Sequence, residues 1–190
     1  MLESQNPAEL IVGALTIGEY GKIVDLSGEA RVVPTVQRLF QSPQEDVKFA
    51  ASVCMGNISI GNPSHFLDKV FQLIGESQEA QKYLFLNTIK EIIIADSHCL
   101  EEYLFTLIGL LHTHTSAESL QIRNIVAEIM GRLLADFPDQ MFDTVDDNLR
   151  SGNNLSIATT ARAIKFAGSR MKGEAAVMKL KLLSESLYTL

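Results

Sequence analysis

The side chains whose types and spacing suggest chemistry fall in two clusters. His112-Thr113-His114, with His98-Cys99 upstream, is the one metal-like group. A zinc site needs four converging donors, and His-x-His on a helix points its two rings to roughly opposite sides. No Cys-x-x-Cys supports it, so a solvated helix end accounts for the pair. Asp143, Asp146 and Asp147 supply carboxylates, but no Asp-x-Asp-x-Asp-Gly loop surrounds them, and a solvated helix face accounts for these too. No serine sits in a Gly-x-Ser-x-Gly elbow. Gly13, Gly18, Gly21 and Gly28 are scattered rather than gathered into a phosphate loop. The expectation is a chain without catalytic residues, metal or cofactor, and therefore one that is not an enzyme.

What remains is a surface. The chain has 190 residues and is 46% hydrophobic, enough for one continuous core. No run of eighteen apolar residues exists, so no membrane partner is expected. Met1 to Pro7 is polar and lacks the apolar stretch of a signal peptide. Cys54 and Cys99 each lie in an apolar helical pattern, which predicts buried free thiols. Both features predict a cytoplasmic or nuclear chain. A net charge of −7 argues against nucleic acid. The charge is uneven. Residues 1–149 carry 9 basic and 21 acidic side chains, a balance of −12, whereas residues 150–190 carry 7 and 2, a balance of +5. Such a gradient either steers a partner of complementary charge or reflects chance clustering on solvated helix faces.

The elements that carry this surface repeat. Val47 to Ile58 and Ile122 to Leu133 match type for type, each ending Met-Gly-x-aliphatic. Weaker copies run from Gln81 to Ile92 and from Ser156 to Ala167, and a first copy ends Ile17-Gly18-Glu19. The anchors are Ile17, Met55, Ile89, Met130 and Ile164, spaced by 38, 34, 41 and 34 residues. Such periods mean stacked helical hairpins. The Val-Lys-x-Ala-Ala start at Val47 follows the second (B) helix of HEAT repeats, and the fold class is an all-α HEAT-repeat, armadillo-like solenoid.

The expected layout is a B helix over 7–20, repeats at about 30–62, 63–97, 99–137 and 139–171, and an unpaired A helix over 174–190, all one array. The intervening A helices fall near Val32–Gln41, Pro63–Gly75, Leu100–Thr113 and Gln140–Arg150. Asn62-Pro63-Ser64 and Asp136-Phe137-Pro138-Asp139 are start signals. Gly18, Gly56 and Gly131 mark the places where neighbouring B helices cross. Unpaired elements at both ends suggest a piece of a longer array, or a chain that stacks on another polypeptide.

In HEAT arrays the B helices line the concave face. The positions two before and two after each anchor lie on one side of the helix. They read Val53, Asn87, Glu128 and Arg162, then Asn57, Glu91, Arg132 and Phe166. With Lys165, the polar and aromatic members form a candidate protein-binding strip: Asn57, Asn87, Glu91, Glu128, Arg132, Arg162, Lys165 and Phe166. An ordinary wet surface is the alternative.

Several stretches carry a more particular likeness. Gly18-Glu19-Tyr20-Gly21, Asp25-Leu26-Ser27-Gly28, Ser42 to Lys48 and Gly56 to Asn62 are among them. Lys90-Glu91-Ile92-Ile93, Arg123 to Glu128 and Ala163-Ile164-Lys165-Phe166 continue it. The chain resembles the cullin-associated and neddylation-dissociated proteins, also called TATA-binding-protein-interacting proteins, along nearly its whole length. The resemblance implies repeats from the C-terminal third of a long HEAT solenoid without enzymatic activity. It implies an unneddylated cullin–RING scaffold as partner, with control of substrate-receptor exchange as the role, and the remainder of the solenoid as a second partner. This chain is far shorter than that solenoid. A general HEAT scaffold or transport adaptor with an unrelated protein partner is the other reading.

Overall fold

The computed structural model describes residues 4–171, 173, 178–183 and 185. The described residues are helical and contain no strand. No helix among them is long and apolar enough to cross a membrane. The chain forms two compact units, Met1–Cys99 and Leu100–Leu190.

The first unit holds α1 (Pro7–Gly21), α2 (Val32–Leu39), α3 (Glu45–Gly61), α4 (Pro63–Glu76) and α5 (Glu79–Asp96). Starts follow the sequence signals. Asn6 caps α1 and Asn62 caps α4, each followed by a proline whose missing N–H costs nothing there. α3 is the centre of this unit: Val47, Ala51, Cys54 and Ile58 are fully buried, at three- and four-residue steps. α2 packs on α3 and α4 on α5, the A–B pairing of HEAT hairpins.

The B helices then pack on one another, α1 on α3 and α3 on α5. Both crossings occur at a glycine. A Cβ on Gly18 would lie 3.0 Å from the Cys54 Cα, and one on Gly56 would lie 3.1 Å from the Thr88 carbonyl oxygen. Ser52 adds a buried tie, its hydroxyl donating to the Leu84 carbonyl at 3.0 Å.

The two most specific sequence motifs meet in this unit. Asp25, in the Asp-Leu-Ser-Gly loop, accepts from the Asn62 amide at 2.9 Å and from the Ser27 backbone at 2.8 Å. Asn62 in turn caps α4 by accepting from the His65 backbone N–H at 3.1 Å. The loop after α1 is thus pinned to the junction of α3 and α4. Gly21 and Gly61 make the approach possible, because a Cβ on Gly61 would strike the Gly21 carbonyl oxygen.

The second unit holds α6 (Leu104–His114), α7 (Leu120–Asp136), α8 (Pro138–Leu149) and α9 (Asn154–Gly168). α6 pairs with α7 and α8 with α9, while α7 and α9 form the B–B contact. Gly131 sits at that crossing, where an added Cβ would lie 2.5 Å from both the Ala163 carbonyl oxygen and the Phe166 Cβ. A buried hydroxyl cluster joins α6 to α9. Ser156 Oγ donates to Thr115 Oγ1 at 3.0 Å, and Thr159 Oγ1 donates to the Thr115 carbonyl at 2.8 Å.

Two expectations are corrected. The A helix expected from Leu100 begins instead as a 3-10 helix, Ser97–Tyr103, with α6 starting at Leu104. The Asp96 side chain accepts from the His98 backbone at 3.1 Å and holds the tighter turn. Cys99 lies in that turn and is half-buried, not buried in an α-helix; its thiol donates to the Asp96 carbonyl at 3.0 Å. Cys54 is buried as expected. Of the terminal helix expected over 174–190, residues 174–177, 184 and 186–190 lie outside the described residues. Residues 178–183 are helical, with Leu183 buried and Lys179 paired with Asp139.

Candidate protein-binding surface

Within each unit the B helices pack on one another and on the A helices, and each keeps some side chains exposed. In the first unit Leu15, Phe49 and Ile94 are exposed on α1, α3 and α5. Both strip asparagines of this unit are buried, which corrects the expectation of a wet polar row. Asn57 turns toward α1, where its amide donates to Glu19 Oε1 at 2.9 Å, 38 residues away in sequence. Asn87 is fully buried, and its amide group has no hydrogen-bond partner among the described residues. Glu91 is half-buried and pairs with Lys90 at 3.4 Å. The Lys90 ammonium also stands 5.7 Å from the centre of the Phe49 ring.

In the second unit Arg162, Lys165 and Phe166 are exposed, and Glu128 and Arg132 are half-buried. Arg132 binds Glu128 through two nitrogens, at 2.8 and 3.1 Å, one turn apart on α7. Arg162 of α9 donates to the Asn124 side-chain oxygen of α7, a partner absent from the sequence-based strip. Lys165 is exposed and, among the described residues, has no ion-pair or hydrogen-bond partner. Phe166 is 36% exposed. Asp136 pairs with Arg170 at 3.7 Å.

Among the described residues no group of three or more His, Cys, Asp or Glu side chains is placed to hold a metal ion. Burial pushes the Cys54 thiol up to about 12. Cys99 is pushed to about 12 as well, by burial first and the Asp96 charge second. Thiols so far above neutrality are poor nucleophiles. The polar side chains of the B helices engage instead in ion pairs and an aromatic contact.

Comparison with known proteins decides the family. No family model matches the chain. Cullin-associated NEDD8-dissociated protein 1 of Arabidopsis thaliana is 31% identical over 166 residues, covering 85% of this chain and 14% of that protein. The protein of the same name from Drosophila melanogaster is 30% identical over 195 residues, covering 100% of this chain and 16% of that protein. Cullin-associated NEDD8-dissociated protein 2 of Mus musculus is 26% identical over 157 residues.

The chain belongs to the cullin-associated NEDD8-dissociated protein family.

It spans about one-seventh of the length of the relatives it matches. The glycine crossings set the register of the B helices. Gly18, Gly56 and Gly131 each follow a repeat anchor by one position and each face the next B helix of their own unit. In that register Arg162 is exposed, and Glu128 and Arg132 are half-buried. Sequence reasoning missed two polar contacts that shape the surface, Asn124 with Arg162 and Glu19 with Asn57. Their spacings of 38 residues are one repeat length, and matching helix positions across the period would have found them.

Proposed function

We propose that this chain is a non-catalytic, cullin-binding segment of a HEAT-type regulator, and that the free side of its B helices carries the contact. The likeness to proteins named for cullin association, along 85% and 100% of the chain, is the observation that supports the reading most. The mechanism is steric. Stacked hairpins with close glycine crossings are stiff, so a bound segment occupies a cullin face and excludes competitors. Affinity comes from a few anchors, specificity and encounter rate from charge. Unmodified cullin–RING scaffolds are the favoured form of the partner, control of receptor exchange the outcome, and cytoplasm and nucleus the place.

The test is recovery of purified unmodified and neddylated cullin on the immobilised chain. Preferential recovery of the unmodified form is expected. Equal recovery of both, or recovery of neither, would leave the chain a HEAT adaptor for some other protein. Arg132→Glu with Arg162→Glu should weaken recovery, while Lys69→Glu on the A helix α4 should leave it unchanged. Equal loss in the two cases would place the contact on another face.

A further inference from the structure

The position after the anchor and the one beyond it carry Lys90-Glu91 in α5 and Lys165-Phe166 in α9. In α5 the pair is self-contained: the lysine reaches the neighbouring carboxylate at 3.4 Å and lies over an aromatic ring, with only 16% of its side chain exposed. In α9 the carboxylate is replaced by a phenylalanine. Lys165 is exposed, and no acidic side chain among the described residues pairs with it. The other cations on the free side of this unit are engaged differently. Arg132 is neutralised by Glu128 and Arg170 faces Asp136. Arg162 is held by the neutral amide of Asn124, which positions its guanidinium without cancelling its charge. Two positive charges three residues apart, one helical turn, therefore stand uncompensated beside the exposed Phe166. Leu155, 40% exposed and two turns before Arg162, extends the apolar part.

We propose that this face of α9 docks a carboxylate-bearing amphipathic segment of the partner protein, with one or more acidic side chains against Arg162 and Lys165 and an apolar side chain against Phe166. The inference rests on the cullin-binding reading and names the chemistry of the partner surface at one end of the contact. The Lys90–Glu91 pair shows what is missing: α5 supplies its own carboxylate, and α9 receives one from outside. Charge complementarity selects the occupant, since this end of the chain, residues 150–190, carries 7 basic and 2 acidic side chains in a protein of net charge −7. An apolar partner without acids would leave both cations facing an uncharged surface, at a desolvation cost.

The test is association kinetics with purified unmodified cullin at low and at high salt, using the full chain and its variants. Lys165→Glu with Arg162→Glu should slow association about tenfold at low salt, and the difference should shrink at high salt. Phe166→Glu is the sharper variant, because it places a carboxylate beside Lys165 as Glu91 stands beside Lys90. Its Cβ still fits against Gly131, and it should slow association about as much as Lys165→Glu alone. Circular dichroism melts identify variants that fail to fold, and Lys165→Glu, fully at the surface, carries the test if Phe166→Glu does. Unchanged association by folded variants overturns this inference and leaves the cullin reading standing. Failure of the unaltered chain to bind overturns both.

Discussion

In the first unit the free side of the B helices exposes Leu15, Phe49 and Ile94 beside Glu19 and a half-buried Lys90–Glu91 pair, with both asparagines buried; in the second it exposes Arg162, Lys165 and Phe166 beside a half-buried Glu128–Arg132 pair. Asn57 and Asn87 are buried, while their template equivalents Arg132 and Glu128 are half-buried and pair with each other. The backbone frame is the same in both, with a glycine at each B–B crossing. The three glycines that follow the anchors differ in how closely the next helix approaches. Around Gly18 and Gly56 the nearest atoms to an added Cβ lie at 3.0 and 3.1 Å, and around Gly131 they lie at 2.5 Å. A close crossing is not peculiar to the charged unit, since a Cβ on Gly61 of α3 would strike the Gly21 carbonyl oxygen of α1 in the first. A repeat template sets which way a side chain points. Its chemistry then depends on what the neighbouring helix brings to the same spot.

The comparison breaks first at the glycines. Gly131→Ala should cost about 2 kcal/mol net, because a backbone carbonyl oxygen stands in the way and α9 must shift, against a helix-propensity gain of about 1 kcal/mol. Gly56→Ala should stay within about 0.5 kcal/mol of the unaltered chain, as a few tenths of an ångström of adjustment offsets the same gain. Gly75, with nothing near its Cβ position, is the control and should gain stability on substitution by alanine. Urea unfolding followed by circular dichroism gives all three. Equal losses at Gly56 and Gly131 would show that the two crossings are equally close.

A smaller effect tests the buried amides, one in each unit. Asn87 and Asn148 are fully buried, and neither side-chain amide has a hydrogen-bond partner among the described residues. An unpaired buried amide costs about 1–3 kcal/mol, so a leucine of similar volume should stabilise either site by about 1 kcal/mol. Thermal melts of Asn87→Leu and Asn148→Leu check this. A loss of stability at Asn87 alone would show that its amide is satisfied by water.

Much of the fold was legible in the sequence because it rests on local rules. The anchors and the glycine after them gave the B helices and their crossings. Asn62-Pro63 and Pro138 gave two of the A-helix starts, the latter within two residues of the expected Gln140. The candidate surface was legible in direction and not in depth. A helical period says that Asn57 points to the free side. It does not say that Glu19, one repeat earlier, reaches over to bind it. Cys99 was misjudged for a related reason: the apolar pattern of Ile92 to Ile94 runs up to it, while the Asp96 side chain ends the α-helix first. The Asp-Leu-Ser-Gly loop and the Ile-Gly-Asn helix end were each visible as unusual. Their contact, across 37 residues, depends on two glycines that let one chain segment touch another.

That contact supplies the smallest effect, and one that belongs to the first unit. The Asp25 carboxyl is held below the usual aspartate range, chiefly by the backbone hydrogen bond from Ser27 and then by the Ser27 hydroxyl; burial opposes them, and the Asn62 amide and His65 lower it further. A carboxyl depressed in the folded state stabilises the fold above its unfolded pKa, and this contribution disappears as pH falls through the folded value. The acid limb of the stability curve, from about pH 5 downward, therefore contains a part due to Asp25. The group is exposed, so the part is small and salt-sensitive. Asp25→Asn keeps the size and one acceptor oxygen but cannot titrate; its melting temperature should fall less steeply with acid than that of the unaltered chain. Asn62→Ala removes the partner amide and the α4 cap together, so it should lower stability at every pH. Combined with Asp25→Asn, it should cost less than the sum of the single effects at neutral pH, because both variants break the same hydrogen bond. Parallel acid limbs for Asp25→Asn and the unaltered chain would show that the carboxylate charge contributes nothing to pinning the loop, and that the glycine contacts alone hold it.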